Sequence, residues 1–326
     1  MESPTPSPPS SPTVYLAQRP VARWPDQLFF VVILIFAISI IALALAIVAI
    51  LVYNSQQSFR VFGWGFLVSS TWNPNAQIFG ALPFVVGTLL TSAIALLIAL
   101  PLSLGSAIFL TTVAPRWLRG PLGTAVELLA AIPSVIYGFW GLWIVVPFMR
   151  STVNPALQQS LGWTGAFSGP NTGFGVLTAS IILAVMIVPT ISAISRDTLA
   201  AVPAAQKEAA LSLGATTWET TRVAMIPYSR SGIVGGVILG LGRAIGETMA
   251  VLMVIGNSDR LPLSLIGNGS TISTLIANEL LSNTGPLQIS AILECGLVLM
   301  LISLAVNIGA RLLVWRFAGS QGGKAE

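Results

Sequence analysis

Residues 207–227 read KEAALSLGATTWETTRVAMIP, and this polar stretch lies between two long apolar segments. Pro203 precedes it, and proline suits the first turn of a helix because its missing N–H would have no partner there. Ala204 to Leu213 are mostly good helix formers, which predicts a short helix. Gly214 tolerates the left-handed conformation that ends many helices, so the first helix should stop there.

A second helix is predicted directly after that glycine. Thr216 and Glu219 have the Ser/Thr-x-x-Glu spacing of a capping box, in which each side chain accepts a backbone N–H of the other residue. Because proline interrupts helical hydrogen bonding, we expect this helix to stop near Pro227. Two short helices meeting at a glycine predict a compact knob (residues 204–227) at the membrane surface. Its apolar residues are Leu211, Leu213, Trp218 and Val223.

The knob resembles the EAA loop of the permease subunits of binding-protein-dependent ATP-binding-cassette transporters. That pattern runs Glu-Ala-Ala, three residues, Gly, nine residues, then Ile-x-Leu-Pro. The matching positions here are Glu208, Ala209, Ala210, Gly214 and Pro227, while Ala224 and Ile226 replace the family's Ile and Leu. The resemblance implies a docking surface for a separate ATPase. A plain surface hairpin would show similar helix caps.

The composition is that of an integral membrane protein. Of the 326 residues, 54% are hydrophobic and 8% charged, far below the roughly 25% charge of soluble domains. The pI near 9.7 does not indicate nucleic-acid binding, because the basic residues are scattered along loops. The apolar runs predict an all-α chain with six membrane-spanning helices. Their approximate bounds are 28–53, 79–112, 121–147, 174–195, 231–255 and 287–315.

The basic residues indicate the topology. Eleven of the 15 Lys and Arg residues lie on one side of the predicted spans, three lie on the other, and Arg243 lies within a span. By the positive-inside rule, both termini and the loop 196–230 face the cytoplasm. The resemblance to importer permeases implies that the membrane is a bacterial plasma membrane. We expect residues 1–26 to form a disordered cytoplasmic tail, 27–318 the six-helix domain and 319–326 a short cytoplasmic tail.

A second motif, Gly240-Leu-Gly-Arg-Ala-Ile-Gly-Glu-Thr248, lies near the middle of the fifth predicted span. A charge there is costly, so Arg243 must face protein, water or a partner charge. Glu247 is a candidate partner, since i and i+4 share a helix face. Arg243 either meets an anion in a pathway, which its planar guanidinium suits, or forms a purely structural ion pair. Thr248 and Ser134 are further candidate pathway residues.

Glycines and prolines indicate how the helices pack. Gly232, Gly236 and Gly240 repeat every fourth residue, which predicts a close helix contact. Pro133 and Pro101 are expected to bend the third and second spans. Glu127 and Glu294 lie within or near spans, and each is expected to pair with a cation of this chain or of a partner subunit.

Catalysis is not expected. The chain contains no histidine, which removes the common general base and zinc ligand, and Cys295 is its single cysteine. It lacks a phosphate-binding loop, so ATP must be hydrolysed elsewhere. We therefore predict a non-enzymatic chain with no catalytic residues, no metal site and no bound cofactor.

The order of features after the tail resembles the C-type permease subunit of the high-affinity phosphate-specific transporter. These features are the aromatic segment Phe66 to Pro74, Ile-Pro-Ser-Val-Ile-Tyr-Gly at 132–138, the knob, and the motif around Arg243. The resemblance implies a MetI-like type I importer fold, a second related permease, two ATPase subunits that bind ATP and Mg²⁺, and an extracytoplasmic phosphate-binding protein. It also implies that Arg243 and Glu247 take part in transport.

Two alternatives remain open on the sequence. A permease of the same architecture for sulfate, molybdate or another oxyanion would also use an arginine in its pathway. A self-contained channel or secondary transporter would work without an ATPase, and broken helices and inverted repeats would be expected of it.

Overall fold

The computed structural model describes residues 24–280 and 285–318. Apart from one isolated bridge between Asn73 and Ile78, the regular structure in these residues is helical, which confirms the predicted all-α class. The predicted tails lie outside the described residues, except that Trp24 to Asp26 already belong to the first helix.

Fourteen helices follow one another in the described part of the chain. The long helices are α1 (Trp24–Phe62), α3 (Leu82–Ile108), α4 (Arg116–Ala131), α8 (Val176–Ala200), α11 (Ile226–Gly246) and α14 (Pro286–Ala318). The shorter helices are α2 (Gly65–Val68), α5 (Ser134–Trp140), α6 (Val146–Phe148), α7 (Asn154–Leu161), α9 (Ala204–Ser212), α10 (Thr217–Thr220), α12 (Met249–Val254) and α13 (Ile272–Glu279).

Five helical stretches of the described residues are long and apolar enough to cross a membrane. They are Gln27–Phe62, Leu82–Val113, Val176–Ala200, Thr217–Gly246 and Pro286–Leu312. A bent pair, Arg116–Ala131 and Ser134–Thr164, would make a sixth. The count thus agrees with the six predicted spans, and the chain is a multi-pass membrane protein.

The third predicted span, 121–147, is sharply bent at Pro133, as the sequence predicts. The chain turns by 92° between α4 and the helical stretch Ser134–Thr164. Ile132 and Pro133 adopt extended backbone there, since a proline disfavours helical backbone in the residue before it. The second span is unlike this one, because α3 runs through Pro101 from Leu82 to Ile108 without a break.

The main apolar core lies between α3, α8, α11 and α12. α8 is the most enclosed of the candidate spans, and its buried residues include Ile182, Ile187 and Ile191. The glycine repeat of α11 faces this helix: a Cβ on Gly236 would lie 3.2 Å from Ile194 Cβ, and one on Gly240 2.7 Å from Ile191 Cγ1. The predicted close helix contact is therefore confirmed.

A second apolar cluster joins the segment before α3 to α13 and α14. Trp72 packs edge-on against Phe79 and Phe84, with ring centroids 4.8 and 5.3 Å apart. Buried Ile272, Ile292 and Cys295 complete it. The part of α1 before Leu51 belongs to a separate unit of the chain, and its apolar side chains are almost all exposed.

Candidate functional site

The knob forms as the sequence predicts up to its second helix. Pro203 precedes α9, and Gly214 has φ +86°, the left-handed conformation that favours glycine. Thr216 then caps α10: its hydroxyl accepts the Glu219 N–H at 3.3 Å, and Glu219 Oε2 accepts the Thr216 N–H at 2.8 Å. Local side-chain chemistry thus fixes the shape of the knob.

The second knob helix does not stop at Pro227, so that prediction is wrong. α10 passes through a π-helical turn, Thr221–Met225, into α11, and the continuous helix extends from Thr217 to Gly246. The ring of a proline normally collides with the carbonyl four residues earlier. A wider turn before Pro227 relieves this collision and allows the helix to continue.

The outer face of the knob is apolar and exposed. Leu213 is 89% exposed, and Trp218, Val223 and Leu211 are also exposed. Glu208 and Ala209 lie on the same exposed helix α9, whereas Ala210 and Pro227 are half-buried. An exposed apolar patch of this kind, bordered by charged residues, marks a protein interaction surface.

The base of the knob is fixed to the helical core. Leu199 and Val202 from the end of α8 pack with Met225 and Ala107 in a buried cluster. The Ser229 hydroxyl donates a hydrogen bond of 2.9 Å to the Thr198 carbonyl. Any displacement of the knob therefore acts on α8 and α11.

The candidate pathway residues lie at a break in the fifth span. The sequence predicts one continuous helix over 231–255, but α11 ends at Gly246 and α12 begins at Met249. Glu247 between them has extended backbone, with ψ 129°. Glu247 therefore does not lie one turn above Arg243 on a common helix face, and these two residues form no ion pair in the structure.

Each charged residue at the break lies at a helix end that suits its sign. Arg243 is in the last turn of α11, where exposed carbonyls favour a cation. The Glu247 carboxylate accepts the Ala250 N–H of α12 at 3.3 Å, where a helix start favours an anion. The Thr248 hydroxyl donates to the Gly246 carbonyl at 3.3 Å.

Arg243 is exposed, and none of the ion pairs found in the described residues includes it. It lies in the last turn of α11, and α12, which follows the break, packs against α5. A charge at membrane depth is stable only where it faces water, a partner charge or another polar chain. Its surface is therefore suited to a pathway or to a subunit interface.

The second break lies beside the first. Tyr137 of α5 is buried, and its hydroxyl donates a 2.8 Å hydrogen bond to the Leu129 carbonyl of α4, across the Ile132–Pro133 bend. α5 packs closely on α12, since a Cβ on Gly138 would lie 2.6 Å from Met253 Sδ and 3.2 Å from Ala250 Cα.

Ser134 begins α5 and is half-buried. Among the described residues, no hydrogen bond joins it to Arg243, Glu247 or Thr248. The structure therefore brings three of the four predicted pathway residues together at one break and connects Ser134 to them only through the packing of α5 on α12.

An ion pair of α4 answers the expectation for Glu127. Arg196 Nη2 lies 2.7 Å from Glu127 Oε1 and 3.2 Å from Asp197 Oδ1. Glu127 thus pairs with a cation of this chain. Glu294 is 6% exposed, and in the described part of the chain its Oε2 has no hydrogen-bond partner.

Two acidic residues outside the spanning helices have altered acidity. Burial raises the pKa of Asp259 in the loop after α12. Burial and the nearby charge of Asp259 raise the pKa of Glu279 at the end of α13, and a hydrogen bond from Gln288 partly offsets the rise. The sequence predicts no role for these residues, because their proximity depends on the fold. The described residues hold no cluster of three or more potential metal ligands.

These features define a helical membrane component with an exposed apolar knob and a charged helix break. Residues 99–319 match the family of binding-protein-dependent transport system inner membrane components, and the chain belongs to this family. The match assigns it a transport role rather than an enzymatic one.

The chain is also similar to proteins of known name. It is 48% identical over 293 residues to a phosphate transport system permease protein PstC of Pasteurella multocida, covering 89% of this chain and 91% of the relative. It is 45% identical to that of Haemophilus influenzae, covering 92% and 96% of the two chains. It is 38% identical to PstC 2 of Mycobacterium tuberculosis, covering 84% and 87%.

Solved importers share the fold. A bacterial ABC transporter involved in the import of the acidic polysaccharide alginate superimposes with a TM-score of 0.61 at 16% identity, covering 90% of this chain and 97% of that one. The inward-facing MetNI methionine ABC transporter gives 0.54 at 17% identity, covering 72% and 96%. The predicted MetI-like architecture is thus confirmed.

Proposed function

We propose that this chain is a permease subunit of an ATP-driven importer of inorganic phosphate. Its identity of 48% to a phosphate transport system permease over 89% of the chain is the observation that carries the substrate assignment. The fold alone would not do so, since importers of alginate and methionine share it. The chain forms part of the pathway and does not hydrolyse ATP.

The pathway runs along the surface that carries Arg243. This side chain is exposed, has no ion-pair partner in the described residues, and ends α11 beside a break that also holds Glu247 and Thr248. A guanidinium binds phosphate oxygens through two parallel hydrogen bonds. Arg243 therefore contacts the anion, Glu247 orders the start of α12, and Ser134 with Thr248 contributes hydroxyl groups to the same route.

The partners follow from the surfaces left exposed. A homologous second permease completes the pathway, since one six-span chain leaves Arg243 uncovered. Two ATPase subunits dock on the cytoplasmic loops of the two permeases and supply ATP and Mg²⁺ chemistry, and in this chain the docking residues are Glu208, Ala209, Ala210, Gly214 and Pro227 of the knob. A phosphate-binding protein docks on the extracytoplasmic segments around 54–78, 148–173 and 256–286. Both termini and the loop 196–230 face the cytoplasm of a bacterial plasma membrane.

ATP-driven closure of the ATPase dimer would press on the knob and rock α8 and α11 between outward-facing and inward-facing arrangements. The knob base supports such coupling, since Leu199, Val202 and Met225 are buried together. Broken spanning helices are also a feature of secondary transporters. The dependence of uptake on the ATPase distinguishes the two mechanisms.

The test is uptake of labelled phosphate, sulfate and molybdate by cells that lack this chain and carry either wild type or a variant at matched membrane levels. Wild type should restore phosphate uptake alone, and only with a functional ATPase. Arg243→Gln should reduce uptake by about tenfold or more, because one charged hydrogen-bonding site is lost. Arg243→Lys should restore it only partly, since lysine keeps the charge but loses the planar fork.

Other outcomes have distinct meanings. Restored sulfate or molybdate uptake without phosphate uptake would show that the chain transports that oxyanion and not phosphate. Full activity of Arg243→Gln would leave the permease assignment intact and remove Arg243 from the pathway. Uptake without the ATPase would contradict the importer class.

A further inference from the structure

We infer that Arg196 and Glu127 form a latch that transmits movement of the knob to the outer half of the fifth span, and that both are positioning residues for coupled transport. This inference rests on the proposed function. It concerns α4, a helix to which neither the sequence motifs nor the proposed pathway assign a role.

Arg196 lies close to the knob, at the end of the helix that leads into it. It lies one turn before the end of α8, and α8 is followed by only three residues before α9 of the knob. Its side chain is 22% exposed. Nη2 lies 2.7 Å from Glu127 Oε1 of α4, while Nε and Nη2 both donate to Asp197 Oδ1 at 3.2 Å. Asp197 thus orients the guanidinium toward α4.

The receiving face of α4 is shaped for this side chain. A Cβ on Gly123 would lie 2.7 Å from Arg196 Nη1, so the guanidinium packs directly against the bare backbone of this glycine and would have to shift for a larger residue. Gly123 and Glu127 are four residues apart and therefore share one helix face. Gly120, one turn earlier, has no atom within 4 Å of such a Cβ.

α4 has few other attachments. Gly123 is its single buried residue, and its contacts are chiefly with α8 and the turn Phe109–Val113. The ion pairs of Arg196 are the only ones in the described residues. Loss of the latch would thus remove the ion pair between α4 and α8 and leave only the packing of the two helices around Gly123.

Movement of α4 reaches the pathway through two contacts, a hydrogen bond between α4 and α5 and the packing of α5 on α12. The buried Tyr137 hydroxyl donates a 2.8 Å hydrogen bond to the Leu129 carbonyl across the Ile132–Pro133 bend, so α4 and α5 move together. α5 in turn packs against α12 through Gly138, with Met253 and Ala250 opposite it. α12 begins directly after Glu247 and Thr248. Movement of α4 and α5 therefore shifts α12, the part of the fifth span that follows the break.

The energetics favour a coupling role over a stabilising one. Glu127 is 56% exposed, and ion pairs with this exposure contribute little to stability. Removing the pair should therefore leave the chain folded and assembled. The intact pair nevertheless fixes the geometry, because a short charged hydrogen bond sets the position of α4 relative to α8.

The experiment uses the complete transporter reconstituted in proteoliposomes with its ATPase and binding protein, and measures phosphate transported per ATP hydrolysed. Glu127→Gln and Gly123→Leu should lower this ratio by about fivefold or more, the lower range of measured coupling effects, while ATP hydrolysis continues. Gly120→Leu is the matched control on the same helix and should keep the wild-type ratio. The exchanged double variant, Glu127→Arg with Arg196→Glu, should recover more of the ratio than either single change.

The outcomes separate the latch from the proposed function. Wild type that transports no phosphate would overturn the proposed function itself. Wild-type ratios in both Glu127→Gln and Gly123→Leu would overturn the latch, as would a parallel loss of transport and ATP hydrolysis. An equal loss in Gly120→Leu would also overturn it, since the effect would then belong to α4 as a whole.

Discussion

Arg243 illustrates how a residue's role depends on where its helix ends. From spacing alone, Glu247 is its partner, because residues four apart on a helix face each other. The structure ends α11 at Gly246 and turns Glu247 toward the Ala250 N–H of α12. The two charges are each stabilised by a helix end, which leaves the Arg243 guanidinium without an ion-pair partner among the described residues.

Glu294 gives a prediction at the same scale. It is 6% exposed in α14, and its Oε2 has no partner in the described part of the chain. Glu294→Gln should preserve thermal stability, because glutamine keeps the shape and burying an amide costs less than burying a carboxylate. Glu294→Ala should lower the free energy of unfolding by about 2 kcal/mol through lost packing. Thermal unfolding of the detergent-purified complex measures both.

Glutamine also tests the role of the charge. A Gln variant as unstable as the Ala variant would show that the negative charge is required. Release of the second permease from the Gln variant would identify the partner cation as lying on that subunit.

Among the elements, the π-helical turns follow one rule. The four turns, Phe109–Val113, Gly141–Val145, Met149–Val153 and Thr221–Met225, each end two residues before a proline. A proline lacks an N–H and crowds the carbonyl four residues earlier. Widening the preceding turn accommodates the ring. Three of the four helical segments continue past their prolines in this way, which explains why Pro227 does not end the knob.

The contact of α11 with α8 gives an element-scale prediction with an adjacent control. A Cβ on Gly236 would lie 3.2 Å from Ile194 Cβ, whereas one on Gly235 would meet nothing within 4 Å. Gly236→Val should lower the free energy of unfolding by about 1–3 kcal/mol, as overpacking does in other cores. Gly235→Val should have a much smaller effect. Equal destabilisation of both variants in a thermal unfolding assay would contradict the close helix contact.

At the scale of the whole molecule, assembly should depend on the knob. Leu213 is 89% exposed on it, and Leu263, 84% exposed in the loop after α12, lies far from it in sequence. Leu213→Ser should weaken ATPase binding by roughly tenfold, because an apolar anchor at an interface contributes at least 1 kcal/mol. Leu263→Ser should leave ATPase binding unchanged. Titration of the purified ATPase against the permease in nanodiscs measures both affinities.

A result in which both serine variants bind the ATPase like wild type would remove the knob as the docking surface. A result in which both bind weakly would point to a general loss of folding, which thermal unfolding of the permease alone would reveal.

Short-range patterns in the sequence determined the all-helical class, the approximate spans, the caps of the knob and the glycine face of α11. Each depends on residues within a few turns of one another: Gly214 allows its own positive φ, and Thr216 caps the N–H of Glu219 three residues on. Gly236 and Gly240 likewise fall on one face through helix periodicity alone.

Only the tertiary structure decided the break in the fifth span and the long-range pairs. α11 ends at Gly246 although apolar, helix-forming residues resume at Met249, and α12 packs on α5 through Gly138. Arg196 meets Glu127 across 69 residues, with Gly123 leaving room for the guanidinium. Such contacts depend on how separate helices pack, and the energy of packing between distant segments is not encoded in the periodicity of any single one.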